Sequence, residues 1–468
     1  MSARAVVGLA LVLCLAWAGA GPAQGGPRQT PVAPRGETLR AGAATVALRV
    51  PTGTPLAGYG AVARRLLVPD VLGRSPHAFW FKPAEGVRDT ITARALVLEV
   101  APRRVVWIAV DLIAVDRAFT REVTRRLASA GVGQTPTVIV SASHTHSGPG
   151  AFIDSTVMGW LALDRLDTAV RDALLDGVVE AVRRAEGARV RALVGAVNVT
   201  APAITRSRLG RELDHDIVVL KLATPAGAPI ALVWNYAIHG TVLGPRNLHF
   251  SGDVMGAASA ALEKQLGVPV LFVNGAVGDV SPAGHGEAAV ARIGRELAAA
   301  VRSGWDRAAP AAAGSLEIWG TQVALPSPWL SVRNCTGRWM PRLLAVPLGR
   351  VFPAEAEMTA VALGETAWVT IPGELQTALG LEVKRRARGL FTHVILAGVS
   401  NAYLGYFVTP EDYERPAYVT CAAVYGPRAG ACLADAAVGL LHRLRGEPRR
   451  DVTVSPGSVC DFSPGVKN

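Results

Sequence analysis

Five short apolar runs, each broken off by a loop carrying a chemically capable side chain, constrain this chain more than any other feature. Thr137-Val138-Ile139-Val140 runs into Ser143-His144-Thr145-His146-Ser147-Gly148-Pro149-Gly150, and Ile230 to Ala237 runs into His239. Pro269 to Val273 leads to Gly278-Asp279-Val280-Ser281-Pro282, and Thr366 to Ile371 delivers Pro372-Gly373-Glu374. His393 to Val399 delivers Ser400-Asn401-Ala402-Tyr403, with Tyr406 close behind. Runs of this length bounded by Gly, Pro and Asn read as buried strands. Segments of helical spacing lie between them: Asp116 to Ala130 through Phe119, Val123 and Leu127, a helix capped by Asp167, one opened by Ser251-Gly252-Asp253, and others over Glu287 to Val301, from Leu375, and over Ala431 to Leu444. The alternation predicts an α/β protein with mixed β-sheets covered by helices, forming one large domain over residues 41–448. No internal repeat is evident. Ligands of open α/β sheets bind at the carboxyl ends of strands, so the five loops are predicted to converge on one crevice.

The residue types in those loops suit a metal ion. Two histidines at i and i+2 on an extended chain point the same way, so His144 and His146 can face one ion. Two histidines, a glutamate and a tyrosine make a zinc ligand set with room for water, drawn here from His144, His239, Glu374 and either Tyr403 or Tyr406. Water activated by such an ion attacks an amide carbonyl, and the second histidine of the pair, His146, is placed to shuttle the proton. The remaining histidines have no motif around them.

Composition narrows the class. Half of the 468 residues are hydrophobic and 18% are charged, which suits a large packed core. The net charge of +11 is mostly arginine and is scattered, without a basic block interleaved with aromatics. It therefore predicts a mild preference for anionic surfaces such as lipid headgroups, and no nucleic-acid partner. Arg4, the apolar stretch Ala5 to Ala18 and Ala18-Gly19-Ala20 read as a signal peptide over 1–20, followed by a loose leader over 21–40. The chain is expected to be exported, secreted or periplasmic, with no transmembrane segment. Residues 449–468 read as an irregular tail. Outside the signal, Cys335, Cys421, Cys432 and Cys460 allow two disulfides, of which Cys421 with Cys432 is the most local pairing.

These residues resemble a known family, the neutral (non-lysosomal, neutral/alkaline) ceramidases. The resemblance rests on four blocks in the family's order: His144 to Gly150; Asn235-Tyr236-Ala237-Ile238-His239; Gly278-Asp279-Val280-Ser281-Pro282; and Pro372-Gly373-Glu374 with Asn401-Ala402-Tyr403-Leu404-Gly405-Tyr406 through Tyr418 and Tyr425-Gly426-Pro427. It implies a catalytic domain without the family's C-terminal immunoglobulin-like domain, and a zinc-dependent amidohydrolase cleaving the N-acyl bond of ceramide or a related N-acyl lipid. It further implies His144, His239, Glu374 and Tyr406 as zinc ligands, with Tyr406 preferred to Tyr403 for its spacing to Tyr418. His146 matches a general acid/base, Ser281 a catalytic serine whose loop Asp279 supports, Arg206 an active-site arginine, and Tyr418 a tyrosine that helps hold the oxyanion. Whether Ser281 or water is the nucleophile stays open. The chain departs from the family at Ala283 and at Arg208-Leu209. Two other readings fit the same residues: a zinc amidase or esterase acting on a soluble polar substrate, and a non-catalytic exported binding protein on the same scaffold.

Overall fold

Trp107 and Trp368 stack face to face, ring centroids 4.8 Å apart and planes 11° from parallel, at the point where three sheets meet. The computed structural model describes residues 38–132 and 136–446. The first sheet runs Thr137–Ala142, Arg103–Val110, Thr92–Val100, Arg40–Ala47, Val190–Arg191. The second runs Val270–Asn274, Pro229–Tyr236, Asp216–Ala223, Leu193–Thr200, and the third Leu316–Ala324, Glu355–Leu363, Thr366–Thr370, His393–Ala397. Inward side chains of all three, among them Leu96, Leu220, Val233, Val361 and Ile395, share one core. The outer faces are covered by helices: Thr168–Gly187 on the first sheet, Asp253–Leu266 and Glu287–Arg307 on the second, Thr377–Arg386 and Ala429–Leu444 on the third. This is the mixed-sheet α/β architecture expected from the alternation.

The sequence conceals that each sheet is built the same way. An outer strand is followed by an antiparallel hairpin, a crossover helix, a strand parallel to the hairpin's second arm, and a further helix. The parallel pairs are Arg103–Val110 with Thr137–Ala142, Pro229–Tyr236 with Val270–Asn274, and Thr366–Thr370 with His393–Ala397. The chain thus contains three structural repeats where the sequence shows none, because a repeat of hydrophobic pattern and turn position needs no repeat of residue identity.

Each parallel strand lies at an edge of its sheet, and an edge exposes unpaired backbone groups. Here the three edges cover one another. Asn274 Nδ2 donates to the carbonyls of Ser143 and Ile238, each at 3.0 Å, and Asn235 Nδ2 donates to those of Val273 and Leu396. Ser141 and Ser400 share a hydrogen bond of 2.7 Å. Gly398 is required at this junction, since a Cβ there would fall 2.2 Å from the Gly275 carbonyl oxygen. The carboxyl ends of the three parallel pairs are thereby drawn to one place.

Local signals act as expected. Asp167 caps Thr168–Gly187 by accepting from Val170 N, and Asp116, read as the start of its helix, stands just outside it as the cap of Arg117–Ser129, accepting from Phe119 N. Other expectations need correction. The last residues of the span read as leader belong to the fold: Leu39 is buried and Arg40 starts a strand. Cys421 pairs with Cys335, not with Cys432, their Cα atoms 4.6 Å apart. Cys432 is buried within Ala429–Leu444, against the third sheet, and is itself disulfide-bonded. The signal peptide, Cys460 and the C-terminal tail lie outside the described residues. No helix among the described residues is long and apolar enough to cross a membrane.

Candidate metal centre and cleft

The His144 loop does not have the geometry that its spacing suggests. The strand ends at Ala142, and His144 adopts a left-handed conformation with φ 66° instead of continuing extended. Such a backbone costs on the order of 1–3 kcal/mol and persists only where the surroundings enforce it. They do so here: His144 N donates to the Leu112 carbonyl, and His146 N donates to that of Gly240, tying this loop to the one that carries His239. The imidazoles of His144 and His146 still face one void, with centroids 5.0 Å apart, and His239 lies 4.7 Å from His144.

All three imidazoles are oriented in the same manner. Nδ1 of His144 bonds the Ile113 carbonyl at 2.6 Å, that of His146 the Gly58 carbonyl at 2.9 Å, and that of His239 the Val280 carbonyl at 2.7 Å. A carbonyl can only accept, so each neutral ring spends its proton outward and turns a bare Nε2 lone pair inward. Those three Nε2 atoms are buried without a hydrogen-bond partner, as is Glu374 Oε2. Glu374 nevertheless lies 2.9 Å from His239 Nε2 and 3.3 Å from His144 Nε2. Four converging lone-pair donors with no proton among them repel one another unless a cation sits between, and carbonyl-anchored imidazoles are the usual support of metal ligands. The buried group His144, His146 and His239 can hold a metal ion, its ligand atoms lying within 4.8 Å of one another.

Electrostatics point the same way. Burial, with the charge of Arg208, lowers His239 to about 4, and burial holds His146 well below the ordinary imidazole value. Burial would push the Glu374 carboxyl up, but His144 and His239 beside it hold it well below the usual carboxylate range. At neutral pH His146 and His239 are therefore neutral and Glu374 is a carboxylate.

Glu374 is fixed by a short parallel pairing of Glu374–Leu375 with Tyr406–Phe407, which sets Glu374 and Tyr406 side by side and delays the next helix to Thr377. Both candidate tyrosines converge on this carboxylate in different ways. Tyr403 donates to Glu374 Oε1 at 2.6 Å, whereas the Tyr406 hydroxyl accepts from Arg208 Nη1 at 3.3 Å. Burial and the Glu374 charge keep both phenols protonated, well above their ordinary value. Tyr418 packs edge-on against Tyr406 at the rim and is 70% exposed.

The arginine named by the resemblance, Arg206, is left at the surface. Arg206 lies on the short strand Thr205–Ser207, paired with Ser281, and is exposed to solvent. The chain turns directly afterwards, where Arg208 N donates to the Asp279 carbonyl, and this turn sends the Arg208 side chain inward. Its Nε donates to Ser281 Oγ at 2.8 Å, so it bridges Ser281 and Tyr406. Its only sequence signal was the departure from the family pattern at that position. Asp279 is buried with both carboxylate oxygens engaged, accepting from Thr377 N and from Ser207 Oγ. It holds the Ser281 loop against the third repeat and makes no contact of its own with the imidazoles.

Gly58 is a further positioning residue that spacing did not reveal. It has φ 109°, its carbonyl anchors His146, and a Cβ there would lie 2.7 Å from His146 Nδ1. Gly58→Ala is expected to displace the His146 ring and, at this positive φ, to cost about 1–3 kcal/mol of stability, read as a fall in melting temperature.

A cleft of about 250 Å³ leads away from the cluster. His144, His146, Glu374, Tyr403 and Tyr406 line its inner end, Tyr418 its rim, and Ile113, Ile153, Met158, Leu163 and Phe352 give it an apolar wall.

Residues 78–296 match the family model for neutral/alkaline non-lysosomal ceramidase, N-terminal. The chain is similar to the neutral ceramidase of Drosophila pseudoobscura pseudoobscura, at 22% identity over 80% of this chain and 71% of that protein. It is similar to the neutral ceramidase of Pseudomonas aeruginosa at 24% identity over 81% of this chain and 71% of that one. Among solved structures, that of the Pseudomonas aeruginosa neutral ceramidase superposes with a TM-score of 0.75 at 19% identity, covering 90% of this chain and 76% of that chain. A ceramidase complexed with C2 superposes with the same TM-score.

Proposed function

We propose that the chain is a neutral/alkaline ceramidase, the family whose N-terminal model it matches over residues 78–296, that it hydrolyses the N-acyl amide bond of ceramide or a related N-acyl lipid, releasing a fatty acid and an amine, and that its metal is zinc. One observation carries the reading: three inward imidazole lone pairs and a buried carboxylate stand at the closed end of an apolar cleft. His144, His239 and Glu374 form the compact trio that would hold the ion, with the Tyr406 oxygen beside Glu374 as fourth ligand. Zinc supplies Lewis acidity at the amide carbonyl and acidifies water at neutral pH.

The remaining groups divide the work. Isoleucine, methionine, leucine and phenylalanine side chains take the acyl chain and exclude solvent from it. His146, on the cleft side of the cluster and 9% exposed, offers Nε2 as the base that takes the proton from the attacking water and returns it to the departing amine. Arg208 stays charged, because Tyr406 and Glu374 beside it outweigh the effect of burial, and it aims positive charge at the developing oxyanion, with the Tyr418 hydroxyl at the rim. Ser281 accepts from that guanidinium, and a serine held by a cationic donor lacks the adjacent base a nucleophile needs. We therefore assign the attack to water and a positioning role to Ser281, with Asp279 fixing its loop. Export remains part of the proposal, resting on the composition of residues 1–20.

The test is hydrolysis of ceramide with a labelled acyl chain by the purified protein. Turnover should vanish on removal of metal and return with zinc. Rates should rise with acyl length until the cleft is filled, and undiminished turnover by metal-free protein would overturn the mechanism.

A further inference from the structure

Nearly all the exposed large apolar side chains of the described residues crowd two places. Apart from Val87 and Val190, they lie either on the 62–72 loop with Trp160 and Leu161, or on the 339–351 segment with Tyr418. Leu67 and Leu343 are each 97% exposed and Trp339 is 75% exposed. Soluble surfaces seldom gather such residues without a partner for them.

Both ridges run into the cleft. Arg65 fastens the first, donating to the Leu161 carbonyl with its guanidinium 5.1 Å above the Trp160 ring, and the same turn continues into Ala162 and Leu163 of the cleft wall. The second continues into Val351, Phe352 and Pro353, which also line the cleft. The Cys335–Cys421 disulfide fastens this ridge to the short helix Tyr418–Cys421 that carries the rim tyrosine, and Arg342 pairs with Glu414 nearby. The second ridge also has an excess of basic charge: residues 318–354 contain Arg333, Arg338, Arg342 and Arg350 and no aspartate or glutamate, set against one neighbouring carboxylate, Glu414, which pairs with Arg333 and Arg342.

From these observations we propose that the two ridges form a bilayer-docking rim that seats the cleft mouth on an anionic lipid surface. Tryptophan and leucine enter the headgroup boundary while the arginines meet the lipid phosphates. An N-acyl lipid then passes from the bilayer into the apolar cleft without crossing water. The use made of the docking rests on the N-acyl lipid reading above; the docking itself is measurable without turnover.

The experiment is co-sedimentation of the protein with phosphatidylcholine vesicles and with vesicles containing phosphatidylglycerol. The wild type should bind the anionic vesicles more tightly, with affinity falling as salt is added. Trp339→Ser/Leu343→Ser should lower vesicle affinity roughly tenfold or more, and Leu67→Ser should act in the same direction. Trp339→Ser/Leu343→Ser should leave the melting temperature and hydrolysis of a water-soluble short-chain N-acyl substrate unchanged, because both side chains are exposed. Brominated lipid should quench tryptophan fluorescence of the wild type and less so of that variant. Vesicle binding unchanged by the substitutions would overturn the proposal. So would a wild-type dimer in sedimentation velocity that the substitutions dissolve, since the ridges would then belong to a second copy. Vesicle binding as described with no hydrolysis of any N-acyl lipid would support the rim and sink the proposed activity.

Discussion

His239→Ala is expected to lose the metal ion and at least about 10³-fold in amide hydrolysis, the equivalent of several kcal/mol of transition-state stabilisation. The substitution removes the one imidazole that lies 2.9 Å from Glu374 and leaves the buried carboxylate with His144 and the Tyr403 hydroxyl. Metal content of the purified variant, measured beside its turnover, checks both halves. His146→Ala provides the contrast. If His146 moves the proton and the trio of His144, His239 and Glu374 holds the ion, this variant retains its metal while its rate falls about 10²–10⁴-fold. Loss of metal from His146→Ala to the same extent as from His239→Ala would make His146 a ligand and leave the reaction without its assigned base.

Arg208→Ala is expected to lower kcat about 10²–10³-fold with metal content unchanged, the usual effect of removing one donor aimed at a developing oxyanion. Arg208→Lys should recover only part of this, because an ammonium cannot hold Ser281 and Tyr406 at once as the planar guanidinium does. Arg206→Ala should stay within about twofold of wild type, since its side chain is exposed to solvent. The pair of variants separates two arginines that stand two residues apart. Equal losses from both, or a loss from Arg206→Ala alone, would return the role to the position that the family resemblance selected.

The same two arginines show where reading from sequence stops. The four motif blocks could be matched because a residue type in its local turn is a one-dimensional signal. Which of two nearby side chains enters the site depends on a backbone turn fixed by the Asp279 carbonyl, 71 residues beyond Arg208. His144 and His146 teach a related lesson. They do face one void, but through a left-handed residue held by contacts from Leu112 and Gly240, not through the alternation of an extended strand. Cys421 found Cys335, 86 residues away, instead of its sequence neighbour Cys432, because the fold brings the Cα atoms of that pair within 4.6 Å.

The chain's own order of residues determined the strands, the helix caps at Asp116 and Asp167, and the chemical identity of the loops, because each follows from local hydrophobic period, capping and turn chemistry. The tertiary structure alone decided the threefold repeat and the meeting of His144, His239 and Glu374 on one void. Those depend on three sheet edges closing over one another through Asn235, Asn274, Ser141 and Ser400, hydrogen bonds between residues up to 259 positions apart, whose pairing no local pattern encodes.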